Sequence, residues 1–232
     1  MHLFYQPQLM SGIHSLTDEE FHHCVKVLRH VEGDEIHVTD GLGTFGPARI
    51  TQIRKKELDF TLRDTHYQEP DPFGVHLYIA PTKQQERMEW MVEKLCEIGI
   101  GAITFIQTAN SERAKIRLDR LEKKSLSALK QSKGSWITQI NPMIDFEIAL
   151  SQSRGAQKLL AAVTDDSLHY GSVIQKGYST DIFIGPEGDF TIEEVNLTKK
   201  KGVKTVSLGP KILRTETAGL LASYYVHTMN QF

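Results

Sequence analysis

The sequence predicts an α/β chain in which a small β-rich domain precedes a larger domain built on a mostly parallel sheet. After about residue 75, strand-like and helix-like runs alternate, the pattern of a parallel sheet with helices on both faces. Before about residue 70, short β-branched runs are separated by turn signals. Between them, Gln68–Gly74 carries two prolines and a glycine in seven residues, which places a linker there. The expected domains are residues 1–70 and 71–232. A 232-residue chain with 40% hydrophobic and 24% charged residues has material for a packed core. Global disorder, collagen-like and coiled-coil architectures are excluded.

In the first domain, Thr17 to Arg29 reads as a helix. Thr17 and Glu20 have capping-box spacing, and Phe21, Val25 and Leu28 recur at the helical interval. Glu35–Thr39, Gly46–Ile53 and Leu58–Leu62 read as strands. In the second domain, Val75–Ala80 is apolar at nearly every position, as in a strand covered on both faces. Lys83–Ile98 is a helix with a stripe of Met88, Met91, Val92, Leu95 and Ile98. Ile103–Gln107 is a strand and Leu118–Gln131 a basic helix. Lys158–Val163 and Asp181–Ile184 are strands, Ile192–Lys201 a helix and Thr205–Leu208 a strand. Thr215–Met229 closes the chain as a helix with Ala218, Leu221, Ala222 and Tyr225 on one face.

The longest wholly apolar runs are a handful of residues, such as Leu159–Val163, against the roughly 20 needed to span a bilayer. The N-terminal run MHLFYQPQ has no basic-then-apolar signal pattern, so the expected compartment is the cytoplasm. Cys24 and Cys96, the only cysteines, make no disulfide framework or cysteine zinc cluster. Net charge is −2, but its distribution is uneven. Lys199 to Arg214 holds six basic residues and no acid, and Ser111 to Gly134 holds eight against three acids. A polyanion would find local footing there; two solvated helix faces are the alternative.

Gly41, Gly43 and Gly46 form a literal G-x-G-x-x-G after a strand. A dinucleotide site needs a helix to open there. Pro47 and another strand-like run follow, so the glycines read as a hairpin turn. Of ten histidines, seven precede residue 70, and consecutive His22 and His23 cannot converge on one metal from one helix face. No H-E-x-x-H, nucleophile elbow or Walker loop occurs, and no metal is expected. The informative segment is Ile182–Phe190, IFIGPEGDF, where a strand runs straight into Gly185-Pro-Glu-Gly188 and a helix starts near Thr191. Two glycines around a proline make a rigid loop through which a ligand can approach bare backbone. Leu208–Ala218, LGPKILRTETA, repeats the arrangement after the next strand. Loops on successive strands suggest two walls of one pocket, at the end where ligands bind open α/β sheets.

The paired motifs IGPEGDF and LGPKILRTETA resemble the ribosomal RNA small subunit methyltransferase E family. The likeness extends to His23…Val27-Leu-Arg29, to Lys83…Glu86-Arg87…Glu93-Lys94-Leu95…Glu97-Ile98-Gly99, and to Ser111-Glu-Arg113. The chain departs from the family pattern at Asp189, where a second glycine is usual, and at Lys130–Gly134, which lacks the usual arginine. The resemblance implies an N-terminal PUA-like β-barrel and a SPOUT-type catalytic domain with a trefoil-knotted C-terminal segment. It further implies S-adenosylmethionine as cofactor and methylation of N3 of one uridine in small-subunit (16S) ribosomal RNA, free or in the 30S particle. Family members are homodimers. Ile184, Gly185, Glu187, Gly188, Leu208, Gly209, Ile212, Leu213 and Thr217 would hold the cofactor. Lys26, Arg29, Lys83, Arg87 and Arg113 would contact RNA.

Uridine N3 must lose a proton, and a cation beside the resulting negative charge would stabilise it. Arg214, between the second loop and a helix start, is the candidate; pairing with a carboxylate such as Glu187 or Glu216 is its alternative role. No residue stands out as general base. Two other functions fit these features: a non-catalytic RNA-binding or ribosome-assembly factor, which would not require the glycine loops, and a SPOUT methyltransferase acting on tRNA.

Overall fold

The computed structural model describes residues 2–112, 116–164 and 167–231. The chain folds into two compact units. Residues 1–70 and 126–137 make the first, and residues 71–125 and 138–232 the second.

In the first unit, β1 (Leu3–Tyr5), β2 (Ser15–Thr17), β3 (Glu35–Thr39), β4 (Thr44–Ile53) and β5 (Glu57–Leu62) form a sheet in the order β1-β3-β4-β5-β2. A short β6 (His66–Tyr67) pairs with β4. Phe4, Leu16, Ile36, Val38, Ile50 and Leu58 alternate inward along these strands and make the core with Phe21 and Cys24. The expected helix from Thr17 to Arg29 is different in kind. α1 covers only Asp18–Phe21 and continues as a π-helical segment, His22–Val27. The capping box does not form: the Thr17 hydroxyl donates to Asp18, while Glu20 accepts from the Tyr5 amide at 3.1 Å and pairs with Lys130. Tertiary partners outcompete the local cap.

Gly41 and Gly43 of the three-glycine motif form the turn between β3 and β4, for steric reasons, while Gly46 lies within β4 opposite Val38. Gly41 and Gly43 have φ of +70° and +98°. The Gly43 amide donates to the Ser135 carbonyl (2.9 Å), and the Ile137 amide to the Gly41 carbonyl (2.9 Å), so the turn docks the returning segment 135–137. A Cβ on Gly43 would lie 2.6 Å from the Gln68 carbonyl oxygen and 2.7 Å from the Trp136 ring. Gly43→Ala should therefore destabilise this unit by about 2–5 kcal/mol, from left-handed strain plus overpacking. Gly12→Ala, at φ +82° with nothing within 4 Å, should cost only the backbone part. Urea melts with hydrogen exchange would compare them; equal losses would remove the packing argument.

The second unit is a seven-stranded sheet in which every pairing is parallel. Its strands are β7 (Val75–Ile79), β8 (Ala102–Gln107), β9 (Gln139–Asp145), β10 (Gln157–Ala161), β11 (Leu168–His169), β12 (Thr180–Ile184) and β13 (Lys204–Ser207). The order is β11-β13-β10-β12-β7-β8-β9. α2 (Gln85–Ile98) packs beside α7 (Thr215–Gln231), and α7 also packs on β7 and β12. The other sheet face is covered by Phe146, Ala149 and Leu150 of α4 (Phe146–Gln152) and by Val195 of α6 (Ile192–Lys200). α5 (Tyr170–Val173) and residues 118–125 of α3 (Leu118–Ser132) also belong to this unit, the rest of α3 to the first. On α7 the buried positions include Ala218, Ala222 and Val226, whereas Leu221 and Tyr225, read from the sequence as sharing a face with Ala218 and Ala222, are 49% and 41% exposed. Among the described residues, no helix is long and apolar enough to cross a membrane.

Candidate active site

The site is built at the carboxyl ends of β10, β12 and β13. β12 is buried throughout and held in parallel between β10 and β7, and it delivers Gly185-Pro-Glu-Gly188 directly to the carboxyl end of the sheet. That loop is held tightly. The Asn110 side-chain amide donates to the Gly188 and Asp189 carbonyls, both at 3.0 Å. The Thr215 hydroxyl donates to the Gly185 carbonyl at 3.2 Å. A Cβ on Gly185 would sit 3.0 Å from the buried Phe190 ring, so any larger residue there would require that ring to shift by a few tenths of an ångström. Beyond the loop, Thr191 and Glu194 form a complete capping box on α6, and Glu194 also accepts from the Ala109 amide at 2.9 Å.

The second loop leaves β13 at Leu208. Gly209 stands at φ +126°, and the Ser207 hydroxyl bridges its amide and carbonyl at 3.3 and 3.2 Å. Between the loops lies a cavity of about 310 Å³. Ile184, Gly185, Glu187, Leu208, Gly209, Ile212, Leu213 and Arg214 all line it. Gly188 and Thr217 do not: a Cβ on Gly188 would face Asn110 at 3.2 Å, and Thr217 is half-buried on α7.

The two loops belong to successive strands, but these are not neighbours. β10 lies between them, and Ala161, Ala162 and Val163 at its end form a third wall that no local sequence signal announces. Asp189 and Lys211 also line the cavity, though neither is among the expected cofactor contacts. The cavity wall is apolar around Ile184, Val206, Leu213 and Ala218, with loop backbone exposed between. Its volume is at the lower end of the range for small-molecule sites. An apolar group with a polar tail suits such a lining, and Gly209 offers a backbone position where no protein atom lies within 4 Å of a Cβ.

Arg214 is exposed at the cavity wall, and its guanidinium has no ion pair among the described residues. Neither expected carboxylate partner engages it. Glu216 is buried and faces Arg87 instead, with Arg87 Nε 3.6 Å from Glu216 Oε1. Lys83 pairs with Glu112. Lys26 and Arg29 are exposed without an ion pair among the described residues, and Arg29 adopts φ +60°. Arg113 lies outside the described residues. Much of the basic stretch after Ser111 is paired with carboxylates: Arg117 with Asp119, Arg120 with Glu89, Lys124 with Glu93 and Lys130 with Glu20. The basic run within α3 is thus largely paired, although Arg120 stays exposed and Lys124 half-exposed.

Two other chemistries lose support. Burial pushes the Cys24 thiol up to about 12 and raises that of Cys96, so neither is a poised nucleophile. A second concavity of about 390 Å³ is lined by His76, Tyr78, Thr104, Asn141, Arg154 and Asp181, among others. Burial there holds the His76 imidazole down to about 4 and raises the Asp181 carboxyl. Both have structural partners. His76 Nε2 meets the Thr104 hydroxyl at 2.7 Å, and Asp181 accepts the Gly155 amide at 2.7 Å, tying down the loop before β10.

Comparison with known proteins gives a consistent result. Residues 69–227 match the model of an RNA methyltransferase domain, and residues 16–63 that of an RNA methyltransferase PUA domain. The chain is 30% identical over 224 residues to ribosomal RNA small subunit methyltransferase E of Bacillus subtilis (strain 168), covering 90% of this chain and 87% of the relative. A probable rRNA-methyltransferase from Porphyromonas gingivalis superposes with a TM-score of 0.93 at 37% identity, covering 100% of this chain and 99% of that one. A ribosomal RNA small subunit methyltransferase E from Neisseria gonorrhoeae, solved bound to S-adenosyl methionine, superposes with a TM-score of 0.85 at 26% identity, covering 99% and 98%.

Proposed function

The chain belongs to the ribosomal RNA small subunit methyltransferase E family, and from that premise we propose that it methylates N3 of one uridine in small-subunit ribosomal RNA with S-adenosylmethionine. The observation that carries this reading is the cavity between two glycine loops, with an arginine on its wall that has no ion pair among the described residues. S-adenosylmethionine, when bound, supplies an electrophilic methyl group on a sulfonium. Backbone of Gly185 and Gly209 and the side chains of Ile184, Leu208 and Leu213 would hold it. Glu187, Gly188, Ile212 and Thr217 complete the proposed contact set, Gly188 by keeping the first loop against Asn110 rather than by lining the cavity. Much of the catalysis is then positioning of nitrogen against methyl. Arg214 stabilises the negative charge that the deprotonated uridine ring carries to its flanking carbonyl oxygens.

Residues 1–70 act in this proposal as the PUA-like RNA-binding domain and residues 71–232 as the SPOUT catalytic domain, its C-terminal segment threaded as a trefoil knot. The bond from Thr215 back to Gly185, thirty residues earlier, supports a C-terminal segment held against the first loop. A homodimer is part of the reading. Leu221, Tyr224 and Tyr225 on α7 are 49%, 51% and 41% exposed, and Trp90 on α2 is 45% exposed. Apolar groups of this size left uncovered on packed helices favour burial against a second copy. The protein would act in the cytoplasm.

The test is S-adenosylmethionine binding by calorimetry, followed by mass mapping of RNA methylated in vitro. Methyl on N3 of a single small-subunit uridine is the expected result. Methyl on tRNA would favour the other SPOUT reading, and absent cofactor binding would leave an RNA-binding factor.

RNA attachment is electrostatic in this proposal, through Lys26 and Arg29 in one unit and Lys83, Arg87 and Arg113 in the other. Each lost phosphate contact should reduce the magnitude of the log K against log salt slope by roughly 0.7–0.9. Lys26 and Arg29 should give the full effect. Lys83 and Arg87, which face Glu112 and Glu216, should give less. An unchanged slope in a Lys26→Ala, Arg29→Ala double variant would put the footprint elsewhere.

A further inference from the structure

We propose that Asp189 makes the cofactor cavity charge-selective, its carboxylate favouring the sulfonium cofactor over the neutral thioether that methyl transfer leaves. This rests on the reading that the cavity takes S-adenosylmethionine. Once the N3 proton has left to water, methyl transfer forms the nitrogen–carbon bond and breaks the carbon–sulfur bond, whose electron pair stays on sulfur. S-adenosylmethionine therefore carries one positive charge more than S-adenosylhomocysteine, at the atom nearest the reaction.

Asp189 lines the cavity at φ +58°, a region that favours glycine. The surrounding backbone would hold without its side chain. Its amide donates to the Pro186 carbonyl at 3.0 Å, and its carbonyl accepts from Asn110 at 3.0 Å. The side chain offsets part of its own strain, because Oδ1 accepts the Phe190 amide at 2.8 Å. That bond fixes the carboxylate and leaves Oδ2 directed toward the end of β10, 3.5 Å from the Val163 amide, a long and weak contact. No cation pairs with Asp189 among the described residues. A half-buried carboxylate, locally fixed and weakly satisfied on one oxygen, thus stands on the wall of a cavity that also holds Val163.

The charges around the cavity are sorted by loop. Glu187 and Asp189 are on the first, Lys211 and Arg214 on the second. A ligand cation is attracted toward the first loop and an anionic base toward the second. The two loops do not neutralise each other in the free protein, since none of the four residues forms an ion pair among the described residues. A partly buried charge within a few ångströms of a sulfonium contributes a preference on the order of tenfold, and salt reduces it.

Calorimetry with S-adenosylmethionine and S-adenosylhomocysteine on wild type, Asp189→Asn and Asp189→Gly tests this. Asparagine tolerates the left-handed backbone and can still accept the Phe190 amide, so it removes charge alone; glycine relieves the backbone and removes the side chain. In both variants affinity for S-adenosylmethionine should fall by about tenfold while that for S-adenosylhomocysteine stays within about twofold. High salt should shrink the wild-type preference toward that of the variants. If both ligands weaken together, or neither does, the carboxylate is only a loop cap and the proposal falls while the cavity assignment stands. If wild type binds neither ligand, the cavity assignment falls and takes the proposal with it.

Discussion

Arg214→Ala should slow single-turnover methylation by about a hundred- to a thousandfold, the usual effect of removing one preorganised donor, at about 2.7–4 kcal/mol. Affinity for S-adenosylmethionine should change far less. The expectation comes from the state of the side chain: Arg214 lines the cavity, precedes the first residue of α7 and has no ion pair among the described residues. A guanidinium already paired with Glu187 or Glu216 would have to break that pair to serve the substrate. Here Glu216 faces Arg87, so the charge of Arg214 is available without that cost. Its interaction strengthens as negative charge develops on the uridine ring, so its loss should fall on kcat more than on binding. Arg214→Lys keeps the charge but not the planar fork and should recover part of the rate. The measurement is single turnover at saturating RNA and cofactor. A normal chemical rate in Arg214→Ala, with weaker RNA binding only, would make Arg214 a phosphate contact.

The segment that carries this chemistry is legible in the sequence because its signals are local. β12, the Gly-Pro loop and α6 follow one another within about twenty residues, and each is written in residue types that restrict the backbone. What is illegible depends on distant contacts. Placing β10 between β12 and β13 requires pairing Leu159 with both Ile182 and Lys204, which no local pattern encodes. β9 escapes prediction because its sequence, QINPMID, contains Pro142 and little alternation; it is an edge strand, where proline is tolerated. The Thr17 and Glu20 spacing misleads for the opposite reason. The local signal is present, but the Tyr5 amide and Lys130 claim the carboxylate. The three-glycine motif reads as a turn, and Gly41 and Gly43 make one while Gly46 is already in β4; the docking of residues 135–137 on that turn is visible only when both segments are placed.

Gly209→Val should reduce S-adenosylmethionine affinity by about a hundredfold or more while the protein stays folded. Two effects combine. At φ +126° a β-branched residue is strained by about 1–3 kcal/mol, so the loop either bears that strain or changes its course. The added side chain also occupies ligand space, because Gly209 lines the cavity and a Cβ there meets no protein atom within 4 Å. The fold should tolerate the change, since no core side chain is displaced. Gly177→Val provides the matched control. Gly177 also has positive φ, +85°, and open space around its Cβ, but it precedes the opposite end of β12. Both variants should show similar modest losses in thermal stability, and only Gly209→Val should lose cofactor. Gly209→Ala divides the two effects: strain alone would make alanine nearly as damaging as valine, whereas occupied space would make valine much worse. Calorimetry on the three folded proteins decides. Wild-type affinity in folded Gly209→Val would take the second loop out of the cofactor site and leave the cavity without its assigned ligand.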